Sequence, residues 1–210
     1  MPHIGKEMLV TADILKFFPS VKPKQVHDAL MTVGFCHSVA RIVTQLCTHA
    51  DQLPQGAPTS PLLSNQLWLR PANRVQGFSD KHGFEQSIIG DDLFVSGERR
   101  AEKYKGLMKK IISEEGFTVH PDKTKALSNR NRQVAAGLVV NKKLNVPKDY
   151  KRALRAEIHT VASRDLGSNE RKPRRLSSIE GKIGYVRQSN PSHAAVYQEQ
   201  FNQATREQEG

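Results

Sequence analysis

Residues 84–96 read Phe-Glu-Gln-Ser-Ile-Ile-Gly-Asp-Asp-Leu-Phe-Val-Ser. Two short apolar runs, 84–89 and 93–96, flank Gly90, Asp91 and Asp92, and the pattern predicts a β-hairpin whose tip carries two acids. Upstream, residues 7–13 (EMLVTAD) read as a buried strand that ends in a third acid, Asp13. Each feature alone has a plain explanation. An Asp after a strand is usually a cap or turn residue, and Gly-Asp-Asp is often only a hairpin turn.

The segments between and beyond these acids are mostly helical in period. Pro23, Val26, Ala29, Leu30, Val33 and Gly34 mark a helix with a proline start and a glycine stop. Ser38 is a candidate cap for a second helix, with Val39, Ile42, Val43, Leu46 and Cys47 on one face. A Pro- and Gly-rich loop, residues 53–61 (LPQGAPTSP), feeds a third helix that Pro71 is expected to kink or interrupt. After the hairpin, Tyr104, Leu107, Met108, Ile111 and Ile112 form another stripe, closed by Gly116. Short strands are expected near 117–120, 126–128 and 133–140. The order suits an α+β fold, a split βαβ, ferredoxin-like antiparallel sheet with helices on one face, followed by a helical portion. Helices are expected over about 150–163 and around Leu176, Ile179, Ile183 and Val186. Residues 164–175 read as a basic linker, and 198–210 as a polar end that frays.

Composition narrows the partners. The chain has 210 residues, with 32 Lys plus Arg against 21 Asp plus Glu, a formal charge of +11. A field of that sign favours polyanions, nucleic acid first and an anionic membrane surface second. No apolar run is long enough to span a membrane, and no secretion signal is evident. The two cysteines, Cys36 and Cys47, make no disulfide framework and are expected to be buried free thiols, which suits a cytoplasmic location.

Carboxylates gathered at a sheet edge repel one another unless neutralised. A pair of Mg²⁺ ions suits such a site, since hard cations take oxygen ligands, often a few carboxylates plus substrate phosphates. Two such ions can activate a 3′-hydroxyl and stabilise a pyrophosphate leaving group. Mn²⁺ is a chemical substitute.

In order, Asp13-Ile14-Leu15-Lys16-Phe17-Phe18, then Leu53-Pro54-Gln55-Gly56-Ala57-Pro58-Thr59-Ser60-Pro61, then Gly90-Asp91-Asp92 resemble motifs A, B and C of reverse transcriptases. The likeness is strongest to bacterial retron-type enzymes and their relatives, including those of group II introns and phage-defence systems. Residues 116–125 resemble motif D, 131–141 the passage from palm to thumb, and 179–191 a thumb pattern. The resemblance implies a polymerase palm over residues 1–141 and basic connection and thumb helices over 142–210. It implies an RNA-directed DNA polymerase that adds dNTPs to a primer on an RNA template, with a structured non-coding RNA as a further partner and a role in phage defence.

By position, the resemblance makes Asp13 and Asp91 ligands of both metals, with Asp92 supporting or ligating one. Phe18 becomes the bulky gate against a ribose 2′-hydroxyl; core packing beside Phe17 is its alternative. Gln55 and Gly56 would line the incoming nucleotide, and Lys123 would neutralise or protonate the leaving pyrophosphate, with a solvated surface lysine as the alternative. Lys142, Lys143, Lys151, Arg152 and Arg155 would hold the template–primer duplex through its phosphates.

Three departures are visible. Ile89-Gly90 stands where the family has an aromatic and an alanine. Ala135-Ala136-Gly137 replaces Val-Thr-Gly. Only twelve residues precede Asp13, where the family carries its fingers, so a fragment or a separate fingers polypeptide is expected. Two other readings stay open: a structured-RNA-binding module without synthesis, and an RNA-dependent RNA polymerase, which Gly90 alone favours.

Overall fold

A computed structural model describes residues 1–163 and 171–206. The chain divides into two compact units, one holding Lys6–Gln133 with Pro2, the other Val134–Gly210 with Met1 and His3–Gly5. The boundary expected from sequence lay between 141 and 142.

In the first unit the elements run β1 (Met8–Asp13), α1 (Phe17–Ser20), α2 (Pro23–Val33), α3 (His37–Cys47), α4 (Ser60–His82), β2 (Glu85–Ile89), β3 (Asp92–Gly97), a 3₁₀ turn (Arg99–Tyr104), α5 (Lys105–Glu114) and β4 (Lys125–Ser128). The strands form one four-stranded sheet in the order β2-β3-β1-β4. Every pairing is antiparallel, with β1 and β3 at the centre. Side chains alternate across a strand. Met8, Val10 and Ala12 of β1 and Leu93 and Val95 of β3 therefore share one core with Trp68 and Val75 of α4 and Met108 and Ile112 of α5. Thr11 and Asp13 point to the other face of β1.

An aromatic knot pins the chain just after Asp13. The Phe17 ring lies 5.8 Å from Trp68 and 5.6 Å from Phe117, and the latter two are 5.6 Å apart. These three side chains tie α1, α4 and the segment after α5 to one point, and buried aromatic pairs of this kind add about 0.5–1.5 kcal/mol each beyond their area.

Several expectations are corrected. Helix α4 continues through Pro71, which is buried on the core face with Trp68, Ala72 and Val75. Packing on both sides of the proline outweighs its missing hydrogen bond. Helix α3 begins at His37 with Cys36 as its cap residue, so Ser38 lies inside it. Its buried row is Ala40 and Thr44, while Val39, Ile42 and Leu46 are 41%, 52% and 80% exposed. The apolar stripe read from the sequence is therefore split: Val43 and Cys47 are half-buried against the core, while Val39, Ile42 and Leu46 face outward. Cys36 is exposed and Cys47 half-buried, both as free thiols, so the expected burial fails at Cys36.

In the second unit, β5 (Val134–Ala135) and β6 (Leu138–Val139) make a hairpin through Ala136 and Gly137, both at positive φ, as a type I′ turn requires. Helices α6 (Lys148–Ser163), α7 (Arg171–Ser189) and α8 (Pro191–Arg206) follow. Residues 171–175, expected in the basic linker, belong to α7; the rest of that linker, 164–170, lies outside the described residues. The polar C-terminal reading is corrected as well. Ala194, Tyr197, Phe201 and Ala204 recur at helical spacing and are buried on α8, against Ile179 and Ile183 of α7 and Leu154 and Ile158 of α6. Residues 207–210 are outside the described set. Among the described residues no helix is long and apolar enough to cross a membrane.

Candidate active site

The tip of the β2–β3 hairpin is a two-residue turn. Ile89 pairs with Asp92, which leaves Gly90 and Asp91 as the connecting residues. Gly90 has φ +62°, at the place where a tight hairpin turn takes glycine. A Cβ there would meet nothing within 4 Å. Backbone conformation, rather than crowding, therefore accounts for Gly90, and the Gly-Asp-Asp spelling has a local structural cause.

Strand register gathers the acids. The last residue of β1, Asp13, is the partner of the first residue of β3, Asp92. Asp91 precedes Asp92 at the turn. All three carboxylates thus sit at one end of the two central strands. Burial, then the charges of Asp91 and Asp13, push the Asp92 carboxyl above its ordinary range, while Lys123 opposes them.

The fourth group arrives by a register shift. Thr11 pairs with Lys125 and Ile14 bridges Val119, so three steps along β1 face six along the other chain. The excess is extruded as a bulge over residues 121–124. On the far side, Leu15 N donates to Thr118 O at 2.8 Å and His120 N to Asp13 O at 2.8 Å. Inside the bulge, Thr124 donates from its amide and its hydroxyl to His120 O, at 3.1 and 2.8 Å. Lys123 stands on this projection and its Nζ donates to Asp13 Oδ2 at 3.0 Å. The hydrogen bond to Asp13, then its charge, holds the Lys123 ammonium above its usual pKa, with Asp91 and Asp92 adding to it.

The remaining candidates are less tightly gathered. Phe18 is half-buried against the core, its ring 5.7 Å from the buried Phe17. Of the two adjacent rings, Phe17 is the packing residue and Phe18 the one left partly free. Gln55 and Gly56 are exposed on the loop before α4, with Gly56 at φ +89°. That loop is anchored by the buried Leu53 and by Ser60 Oγ, which donates to Pro54 O at 2.7 Å.

The basic candidates lie in the second unit. Lys142 and Lys143 are exposed before α6, and Lys151, Arg152 and Arg155 are on it. Burial and then the neighbouring Lys143, Arg155 and Lys148 depress the Lys151 ammonium. A groove between α6 and α8, lined by Arg152, Arg155, His159, Gln200 and Gln203, opens beside them.

Among the described residues no three His, Cys, Asp or Glu side chains are drawn together closely enough to enclose a metal ion. The donor set at the sheet edge nevertheless suits one. Three carboxylates, with only oxygen donors and one ammonium in contact, match the preference of a hard divalent cation. Sequence reasoning passed over Thr11, whose hydroxyl donates to Lys123 O at 3.0 Å. Its position two residues before Asp13, on the same strand face, was the available signal.

No family model matches the chain. It is 29% identical over 214 residues to the retron Mx65 reverse transcriptase of Myxococcus xanthus, covering 92% of this chain and 49% of that protein. It is 29% identical over 163 residues to the retron Ec86 reverse transcriptase of Escherichia coli, covering 76% of this chain and 51% of the relative. The chain thus spans about half the length of these relatives. Among solved structures, the fold is similar to the foamy viral protease-reverse transcriptase in complex with RNA/DNA hybrid, with a TM-score of 0.56 at 19% identity over 89% of this chain and 22% of that one. It is also similar to telomerase from Candida albicans, with a TM-score of 0.54 at 11% identity over 97% of this chain and 41% of the other. The likeness to retron-type reverse transcriptases that the motifs imply therefore extends over most of the chain.

Proposed function

We propose that this chain is the catalytic palm and the start of the thumb of a retron-type RNA-directed DNA polymerase. The observation that carries the reading is the meeting of Asp13, Asp91 and Asp92 at one sheet edge in a chain similar to retron reverse transcriptases. In this reading Asp13 and Asp91 hold two Mg²⁺ ions and Asp92 supports them. When bound, the ions supply activation of the primer 3′-hydroxyl and charge stabilisation at the phosphates.

The chain's own side chains do the rest. Lys123 presents an ammonium beside Asp13, where it neutralises the departing pyrophosphate and can give it a proton from Nζ. Phe18 crowds a ribose 2′-hydroxyl and so favours deoxynucleotides. Gln55 and the backbone at Gly56 line the incoming nucleotide. Lys142, Lys143, Lys151, Arg152 and Arg155 grip phosphates of the RNA template and primer. A structured non-coding RNA, a fingers segment carried elsewhere in the polypeptide or on a second one, a cytoplasmic setting and a role in phage defence complete the proposal; these rest on the retron likeness alone.

The RNA-dependent RNA polymerase reading loses its support. It stood on Gly90, and Gly90 has a backbone reason in the hairpin turn.

The test is primer extension on an RNA template with Mg²⁺ and dNTPs, comparing this chain with the Asp91→Ala, Asp92→Ala double variant. Extension that the variant loses supports the reading. Absent extension, with salt-sensitive RNA binding shared by both proteins, points to a palm that needs its fingers segment or a partner before it extends a primer.

A further inference from the structure

The Thr11 hydroxyl sits where the ladder between β1 and β4 stops. Thr11 and Lys125 form its last pair, and beyond them residues 121–124 leave the sheet. A hydroxyl has one hydrogen to give and lone pairs to receive. Thr11 uses both: Oγ1 donates to Lys123 O at 3.0 Å and accepts from Lys125 N at 3.4 Å. It therefore spans the exit of the bulge and holds the backbone of Lys123 itself. The other side of the bulge is closed by Thr124, which is buried and bonded twice to His120 O. Thr11 and Asp13 share a strand face, so the hydroxyl that holds the Lys123 backbone and the carboxylate that receives its ammonium are neighbours on one rigid strand.

A lysine side chain is long and flexible, and 61% of the Lys123 side chain is exposed, so little else restrains it. Where its ammonium goes depends on where its backbone is anchored.

We propose that Thr11 is a positioning residue: its hydroxyl fixes the 121–124 bulge at the height that brings the Lys123 ammonium onto Asp13. The geometric part stands on its own. The catalytic consequence rests on the polymerase reading, in which Lys123 serves the leaving group.

The experiment uses the full chain, labelled in its lysines for NMR, with the Lys123 signal identified by its loss in Lys123→Arg. Asp13→Ala, which removes the acceptor, supplies the reference for an unpaired Lys123. Thr11→Val keeps the shape and removes the hydroxyl; Thr11→Ser keeps the hydroxyl. The expected result is that Thr11→Val moves the Lys123 side-chain signal most of the way to the reference, while Thr11→Ser leaves it at the wild-type position. A Thr11→Val signal unchanged from wild type overturns the proposal. So does loss of folding in both Thr11→Val and Thr11→Ala, which would give Thr11 to the fold alone.

A kinetic arm then separates this inference from its parent. In single-nucleotide incorporation, Thr11→Val should lower the maximal rate about tenfold with little change in KM for the dNTP, Thr11→Ser should restore it, and in a Lys123→Ala background Thr11→Val should add less than about twofold. Independent, additive losses overturn the coupling to Lys123. If wild type incorporates nothing, the chain alone is not a self-sufficient polymerase, while the NMR comparison still decides Thr11.

Discussion

Asp13 and Asp92 are register partners, the last residue of β1 opposite the first of β3. Backbone pairing keeps the two carboxylates on one strand end, and after burial the charges of Asp91 and Asp13 push the Asp92 carboxyl up. An arrangement of this kind is destabilising by itself and becomes favourable with a cation. Asp92→Asn should therefore raise the melting temperature in metal-free buffer. Added Mg²⁺ should raise the melting temperature of wild type more than that of the variant. Thermal unfolding with and without the ion checks both.

The paired phenylalanines should separate cleanly. Phe17→Ala removes a buried ring from contact with Trp68 and Phe117 and is expected to cost about 3–5 kcal/mol. Phe18→Ala, at a half-buried ring, should cost clearly less. It should also increase ribonucleotide incorporation relative to deoxynucleotide incorporation. Denaturant melts and a nucleotide-competition assay measure the two effects; an unchanged ribonucleotide ratio removes Phe18 from the gate.

Gly90→Ala puts a Cβ on a backbone with φ +62° and should destabilise by about 1–2 kcal/mol although the surrounding space is open. Gly90→Asn should cost less, since asparagine tolerates this conformation better. Equilibrium unfolding of the two variants distinguishes strain from crowding.

On α3 the outward member Leu46 of the sequence stripe and the packed residue Ala40 carry opposite expectations. Leu46 is 80% exposed, so Leu46→Glu should change stability by no more than about 0.5 kcal/mol. Ala40 is fully buried, and Ala40→Leu should cost about 1–3 kcal/mol by overpacking. Were the stripe the buried face, the order would reverse.

RNA binding should fall with salt, and alanine at Lys151, Arg152 or Arg155 should weaken it similarly for unrelated sequences. Each lost phosphate contact should reduce the slope of log affinity against log salt by about 1. Titrations at several salt concentrations read this directly; a sequence-selective loss would point to base contacts instead.

Much of this protein was legible from local pattern. The short apolar runs flanking Gly90, Asp91 and Asp92 predict the hairpin, and the helical period marks α2, α5, α6 and α7 because each repeats within a few residues. The order of the three acid-bearing and loop motifs was enough to point to a reverse-transcriptase likeness. Other features were decided only by packing. On α3 the packing buries Ala40 and Thr44, and Val43 and Cys47 in part, a choice within the apolar stripe that the period alone does not make, and α8 was overlooked because its buried row is diluted by glutamines. The placement of Lys123 on Asp13 joins residues 110 apart in sequence. It arises from a register shift between two stretches facing β1, a property of the pairing that neither stretch carries alone. Period and turn chemistry act over a few residues and can be read along the chain, whereas register is set where distant segments compete to bury their apolar faces, and only the folded molecule settles that competition.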